Sequence, residues 1–162
     1  MRIGVTELID APADGIFVFS QDYSKRLAWD PFLREAILLG NDGALGVGTR
    51  SWCVAWFGMG METEYVSYEP PRVVAVKMTK GPWILKRFAA SWIFHSIEAN
   101  RTEVAFVYSF QIQPHLRVLT PIVGAMFRYE IGRRLRSLKK ACEIADVHVL
   151  SGPPTKKAPT HP

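Results

Sequence analysis

Cysteine and histidine are scarce in this chain, with two and four respectively among 162 residues. Cys53 and Cys142 are far apart, no Cys-x-x-Cys spacing occurs and the histidines are scattered, so neither zinc nor another cofactor is expected. No stretch approaches the ~18 consecutive apolar residues that a membrane span needs. The opening Met1 to Asp10 alternates polar and apolar residues and carries Glu7 and Asp10, which is not the pattern of a secretory leader. With both cysteines read as free thiols, the expectation is a soluble, cytoplasmic protein. A phosphate-binding glycine loop and a Ser-His-Asp order are also missing, as are internal repeats.

What the chain has in quantity is aromatic side chain: 12% of residues, including five Trp. Aromatics supply large buried area, and this many in one small domain also suit a lined cavity. The length fits one domain, able to bury about 70% of its unfolded surface. The net charge of +5 is largely local, gathered in Arg128, Arg133, Arg134, Arg136, Lys139 and Lys140, with Lys156 and Lys157 further on.

Residues 2–10 place Ile3, Val5 and Ile9 on one parity, the pattern of an edge strand. Pro12 then suits the first turn of a short helix over 11–22, and a second short helix is read at 23–28. "WDPFL" (29–33) follows as a loop unusually rich in large apolar side chains. "REAILLGN" reads as a strand ending at a turn, Asn41-Asp42-Gly43. From Gly48 onward, five turn-punctuated strands succeed one another, with antiparallel hairpins favoured. The last of them sets Val104, Phe106, Tyr108, Phe110 and Ile112 on one face. Residues 115–145 switch to helical period, with Leu116, Val123, Phe127, Ile131, Leu135, Leu138 and Cys142 as the apolar stripe and a kink or restart at Pro121. The reading is an α+β domain over 1–146, in which the long helix covers the sheet, and a disordered Pro/Lys-rich tail over 147–162.

The order and spacing of "LIDAPADGIFVFSQD", "WDPFL", "GVGTR", "YEPPRVVAVK", "SWIFHSIEANRTEVAFVYSF" and "RLRSLKKACE" resemble the START-like (SRPBCC, helix-grip) superfamily, and within it the polyketide cyclase/dehydrase and lipid transport group. The likeness runs from about Val5 to Glu143. It implies a curved antiparallel sheet of about seven strands gripping the C-terminal helix, two short helices after strand 1, and a hydrophobic cavity between sheet and helix. It further implies a small hydrophobic or aromatic ligand, lipid-like or polyketide-like, that is either carried or cyclised and dehydrated. In such a fold "WDPFL" would close one mouth of the cavity, with Trp29 and Phe32 either touching the ligand or plugging core. Asp30 would cap or bond nearby backbone.

Shared strand parity and the helix stripe nominate Trp52, Trp56, Met61, Tyr65, Trp92, Tyr108, Phe127 and Ile131 as cavity-lining, beside Trp29 and Phe32. Glu130 and Arg134 fall on the apolar stripe at i, i+4 and could pair. They either face a partly wet cavity and orient a polar ligand head, or rotate to the rim as a surface salt bridge. With Tyr108, they are the candidate proton carriers if the protein is an enzyme. Arg50 is expected in solvent, His95 on the outer face and His115 at an exposed helix start. The basic helix residues Arg128, Arg133, Arg136, Lys139 and Lys140 form either a solvated face or a surface for transient contact with a membrane or another macromolecule; no nucleic-acid partner is expected. Ligand identity and oligomeric state stay open.

Overall fold

The structure is a computed structural model that describes residues 1–40 and 44–145. The expected turn at Asn41-Asp42-Gly43 and the expected tail at 147–162 lie outside the described residues. Seven strands form one antiparallel sheet: β1 (Arg2–Ile9), β2 (Leu33–Leu39), β3 (Arg50–Ala55), β4 (Gly60–Glu69), β5 (Val73–Lys80), β6 (Leu85–Glu98) and β7 (Arg101–Ile112). Two short helices, α1 (Ala13–Gln21) and α2 (Tyr23–Trp29), separate β1 from β2. A 3-10 turn, Pro114–Leu119, leads into α3 (Thr120–Ile144). Pro121 sits in the first turn of α3, where its missing N–H costs nothing, so the chain restarts there. No helix among the described residues is long and apolar enough to cross a membrane.

The sheet order is β1-β7-β6-β5-β4-β3-β2. Strands β2 to β7 follow as a meander, and β1 closes on β7 at the opposite edge. Register shifts interrupt β2/β3, β4/β5 and β6/β7. Each extra residue on one side of a ladder bends the strand and adds twist, and here the sum is a cupped sheet.

Helix α3 packs chiefly on β1 and β7. Its stripe of Phe127, Ile131, Leu135, Leu138 and Cys142 is buried there with Ile3, Ile9, Val104 and Phe110. Each fully buried aliphatic side chain in this layer contributes about 1.5–3 kcal/mol relative to exposure. Ile131 lies wholly inside this packing, which corrects its expected place on the cavity wall. Lys139 reaches Glu7 of β1 at 3.3 Å and fixes the helix along that edge.

Strand β3 corrects a second expectation. Its inward residues are Ser51, Cys53 and Ala55, so Trp52 points to the outer face. An inward parity for Trp52 would put the largest side chains of β3 in the cavity, whereas the sheet turns the small ones inward and leaves space. A strand moves as a unit in this respect, because a shift of one residue exchanges its two faces. Outside, the Trp52 indole covers Gly60, where a side chain of any size would collide with the ring. Cross-strand cover of a glycine by an aromatic ring is a recurring device for holding register. Gly60→Ala is therefore expected to destabilise the fold by about 1–3 kcal/mol in urea unfolding.

Candidate functional site

Where the cupped sheet stands away from α3, a cavity of about 330 Å³ opens. Most of its wall is apolar. Sheet residues Met61, Val76, Phe88, Trp92 and Phe106 face Val123, Met126 and Phe127 of α3, with Phe32 and Phe57 near one end. The rings pack edge-to-face, Tyr108 against Phe127 at 5.3 Å and Phe32 against Phe57 at 6.1 Å. Beside lining residues, Trp56, just past β3, is 59% exposed, and Trp83, between Pro82 and Ile84, is 73% exposed.

Seven expected lining residues do line it: Phe32, Met61, Tyr65, Trp92, Tyr108, Phe127 and Arg134. Trp29, Trp52, Trp56, Glu130 and Ile131 do not. Trp29 backs the wall instead, its indole edge-on to Trp92 at 6.2 Å and beneath the Arg26 guanidinium at 4.9 Å. Trp56 lies in the turn beyond β3, where the neighbouring Phe57 takes the inward position.

The expected Glu130–Arg134 pair does not form. Glu130 takes Arg133, one turn on, at 2.9 Å. Arg134 instead reaches Asp30, with Nη2 at 2.6 Å and Nε at 3.2 Å from the same carboxylate oxygen. That oxygen also accepts from Arg26 Nε at 3.0 Å, while the other accepts from the Phe32 backbone N–H at 3.2 Å. Asp30 is 1% exposed and Arg134 5%. Arithmetic along one helix finds only local partners, and Asp30 is 104 positions away. The signal was a carboxylate set between Trp29 and Phe32, since a charge in such surroundings needs a cation.

The "WDPFL" segment is thus clamped onto α3 at successive residues. Ser137 donates to the Trp29 carbonyl, Arg134 to the Asp30 side chain and Arg133 to the Pro31 carbonyl. Arg133 and Lys139 of the basic face are therefore tied into the fold, whereas Arg128, Arg136 and Lys140 are exposed. Arg50 is exposed and pairs with Glu62 at 3.4 Å, and His95 and His115 are exposed as expected.

Beside a Ser51–Thr63 hydroxyl pair at 2.9 Å, two tyrosine systems face the cavity with opposite polarity. Arg134 Nη1 donates to the Tyr108 hydroxyl, and a guanidinium can only donate. Tyr108 therefore accepts, and its own proton has no acceptor among the described residues. The second system is ordered from its far end. The Phe17 carbonyl can only accept, so Ser20 Oγ donates to it and accepts from Gln21 Nε2. Gln21 Oε1 then takes the Tyr65 proton, and Tyr65 in turn accepts from Tyr23 at 3.1 Å. Tyr23 and Tyr65 both line the cavity, and lone pairs of Tyr23 are left for a donor.

Burial pushes the Tyr108 phenol above its ordinary range against the charge of Arg134. Burial likewise raises Tyr65 and the Cys53 thiol. At Asp30, burial works upward, but the charges of Arg134 and Arg26 outweigh it and hold the carboxyl below the ordinary range. No carboxylate, histidine or lysine stands among the lining residues.

The family model described as polyketide cyclase/dehydrase and lipid transport matches residues 2–143. No curated protein matches the sequence. Among solved structures, the Zhui aromatase/cyclase of Streptomyces sp. R1128 superposes with a TM-score of 0.77 at 17% identity, covering 94% of this chain and 99% of that one. A START superfamily protein of Mycobacterium smegmatis gives 0.67 at 16% identity, covering 93% and 99%. Norcoclaurine synthase of Thalictrum flavum gives 0.66 at 12% identity, covering 89% and 87%. These likenesses carry the helix-grip fold.

A depressed carboxyl contributes stability above its unfolded value and loses it as the pH falls through the folded one. Asp30→Asn is expected to cost about 3–5 kcal/mol at pH 7, because it leaves two buried guanidiniums without their carboxylate. The gap to the wild type should narrow as the pH drops below ~4, read by urea unfolding across that range.

Proposed function

This chain belongs to the polyketide cyclase/dehydrase and lipid transport family, and on that footing we propose that it is a binding protein for a small, largely apolar ring compound. The observation that carries this reading is the cavity itself. At about 330 Å³ it falls at the small end of the roughly 300–1,000 Å³ typical of small-molecule sites. That volume suits a ligand of roughly one to three rings better than a two-chain lipid. Aromatic faces along the wall favour planar rings through stacked and edge-on contacts.

Binding leads over turnover because a proton-shuttling group works best with a pKa near the working pH. The Tyr65 and Tyr108 phenols and the Cys53 thiol are pushed upward by burial, away from neutrality. One observation supports the cyclase reading in second place. Tyr108, backed by Arg134, points a proton where it could polarise a ligand carbonyl and steady the enolate that forms from it. Release of water from a linear poly-β-ketone, followed by mass spectrometry, would favour that second reading.

The binding test uses 2-naphthol, titrated by quenching of Trp92 and its neighbours, alongside native mass spectrometry of freshly purified protein. Saturable one-to-one binding is expected. Ala90→Leu, which adds carbon inside the wall, should weaken it about tenfold or more while leaving the fold intact by circular dichroism. An affinity unchanged by Ala90→Leu would place the naphthol elsewhere and overturn the reading.

A further inference from the structure

The cavity holds an unbalanced charge. Arg26 and Arg134 both line it, and both are spent on the one carboxylate of Asp30. Glu130 offers no relief, because it is engaged with Arg133. Two guanidiniums against one carboxylate leave a single net positive charge at the cavity wall. Aromatic faces carry part of it: Arg134 lies 4.9 Å from the Phe106 ring centroid and 5.1 Å from that of Phe32. The lining groups that could ionise to balance the rest are Tyr23, Tyr65, Tyr108 and Cys53. Burial holds Tyr65, Tyr108 and Cys53 toward their neutral forms. An uncompensated cation in an apolar wall is costly, and an arriving anion relieves that cost.

Hydrogen-bond geometry points the same way. Arg26 uses Nε on Asp30 and Nη1 on the Ser20 carbonyl, and Nη2 has no partner among the described residues. That nitrogen is not sealed away, since Trp29 Nε1 is the only fully buried, unpartnered side-chain polar atom among the described residues. The Tyr108 proton is likewise unclaimed, and donation from Arg134 makes it a stronger donor. Around Arg26 and Tyr108 the cavity therefore offers donors and net positive charge, with the Tyr23 ring, whose hydroxyl can accept, centred 6.0 Å from the Arg26 guanidinium.

We propose that the cavity selects organic monoanions, taking an oxygen of a carboxylate or comparably delocalised anion on the Tyr108 hydroxyl and the free Arg26 nitrogen while the rings lie among the aromatic side chains. The inference rests on the binding reading above and names the ligand class for that same cavity.

The test compares probes of one size: 2-naphthoate, the neutral acceptor 2-acetylnaphthalene, and the cation 2-naphthylmethylammonium, each titrated by calorimetry at neutral pH. Naphthoate is expected to bind about tenfold or more tighter than the ketone, and the ammonium weakest. Tyr108→Phe leaves every charge in place, and should lower naphthoate affinity by about tenfold. Arg26→Met leaves Asp30 paired with Arg134, brings the net charge to zero, and should abolish the preference for naphthoate over the ketone. Equal binding of naphthoate and ketone to the wild type would overturn the monoanion proposal and leave the cavity-binding reading standing. A preference undiminished in both variants would also overturn it. Failure of all three probes, and of 2-naphthol, would remove both.

Discussion

The carboxylate of Asp30 is the point on which the site depends. It takes three charged N–H bonds from two arginines and one from the backbone of Phe32, in a place that water barely reaches. Those bonds join the end of α2, the entry to β2, the middle of α3 and, through Tyr108, strand β7. Removing water from such groups is expensive, and only dense mutual bonding offsets the cost. Geometry follows from that requirement. The linker between α2 and β2 must lie against α3, so Phe32 meets the cavity and Trp29 is pressed into the core beside Arg26.

The cavity is the space left over by two packing decisions. Helix α3 satisfies its apolar stripe on β1 and β7, one side of a sheet that curves away from it. Strand β3 then presents Ser51, Cys53 and Ala55 where larger side chains would have filled the gap. Emptiness here comes from small residues facing inward and large ones, such as Trp52, facing outward over Gly60. The Tyr108 and Tyr23 hydroxyls in the wall are ordered by bonds behind them, so the first presents a donor and the second an acceptor to whatever enters. A ligand that satisfies them loses little hydrogen bonding on leaving water, and a mismatched one leaves a buried group unpaired.

Much of this was readable from the chain, and what escaped has a physical cause. Alternation in β7 and the stripe on α3 identified buried faces correctly, because packing against a continuous neighbour imposes a strict period. The resemblance of the ordered motifs to the helix-grip superfamily anticipated the topology. The face of β3 did not follow, since a cavity inverts the usual rule that the bulkiest parity is the inward one. Ile131 lies on the expected side of the core but one layer behind the cavity wall, a depth that periodicity does not encode, and of the two places open to Trp29 the structure takes the core. Arg134 was recognised as a charge on an apolar face, yet its partner lies across the fold, where spacing along a helix carries no information. Tyr23 and Gln21 emerge only from a chain of bonds whose direction is set by one backbone carbonyl.

The most direct test of the central ion cluster is a pair of double-mutant cycles sharing one arm, Arg134→Met. One cycle combines it with Asp30→Asn, the other with Glu130→Gln, and each is read by urea unfolding at neutral pH. Coupling of about 2 kcal/mol or more is expected between Arg134 and Asp30, and below ~0.5 kcal/mol between Arg134 and Glu130. The reverse pattern, with Glu130 strongly coupled and Asp30 not, would contradict the assignment of Asp30 as the anchor of the site.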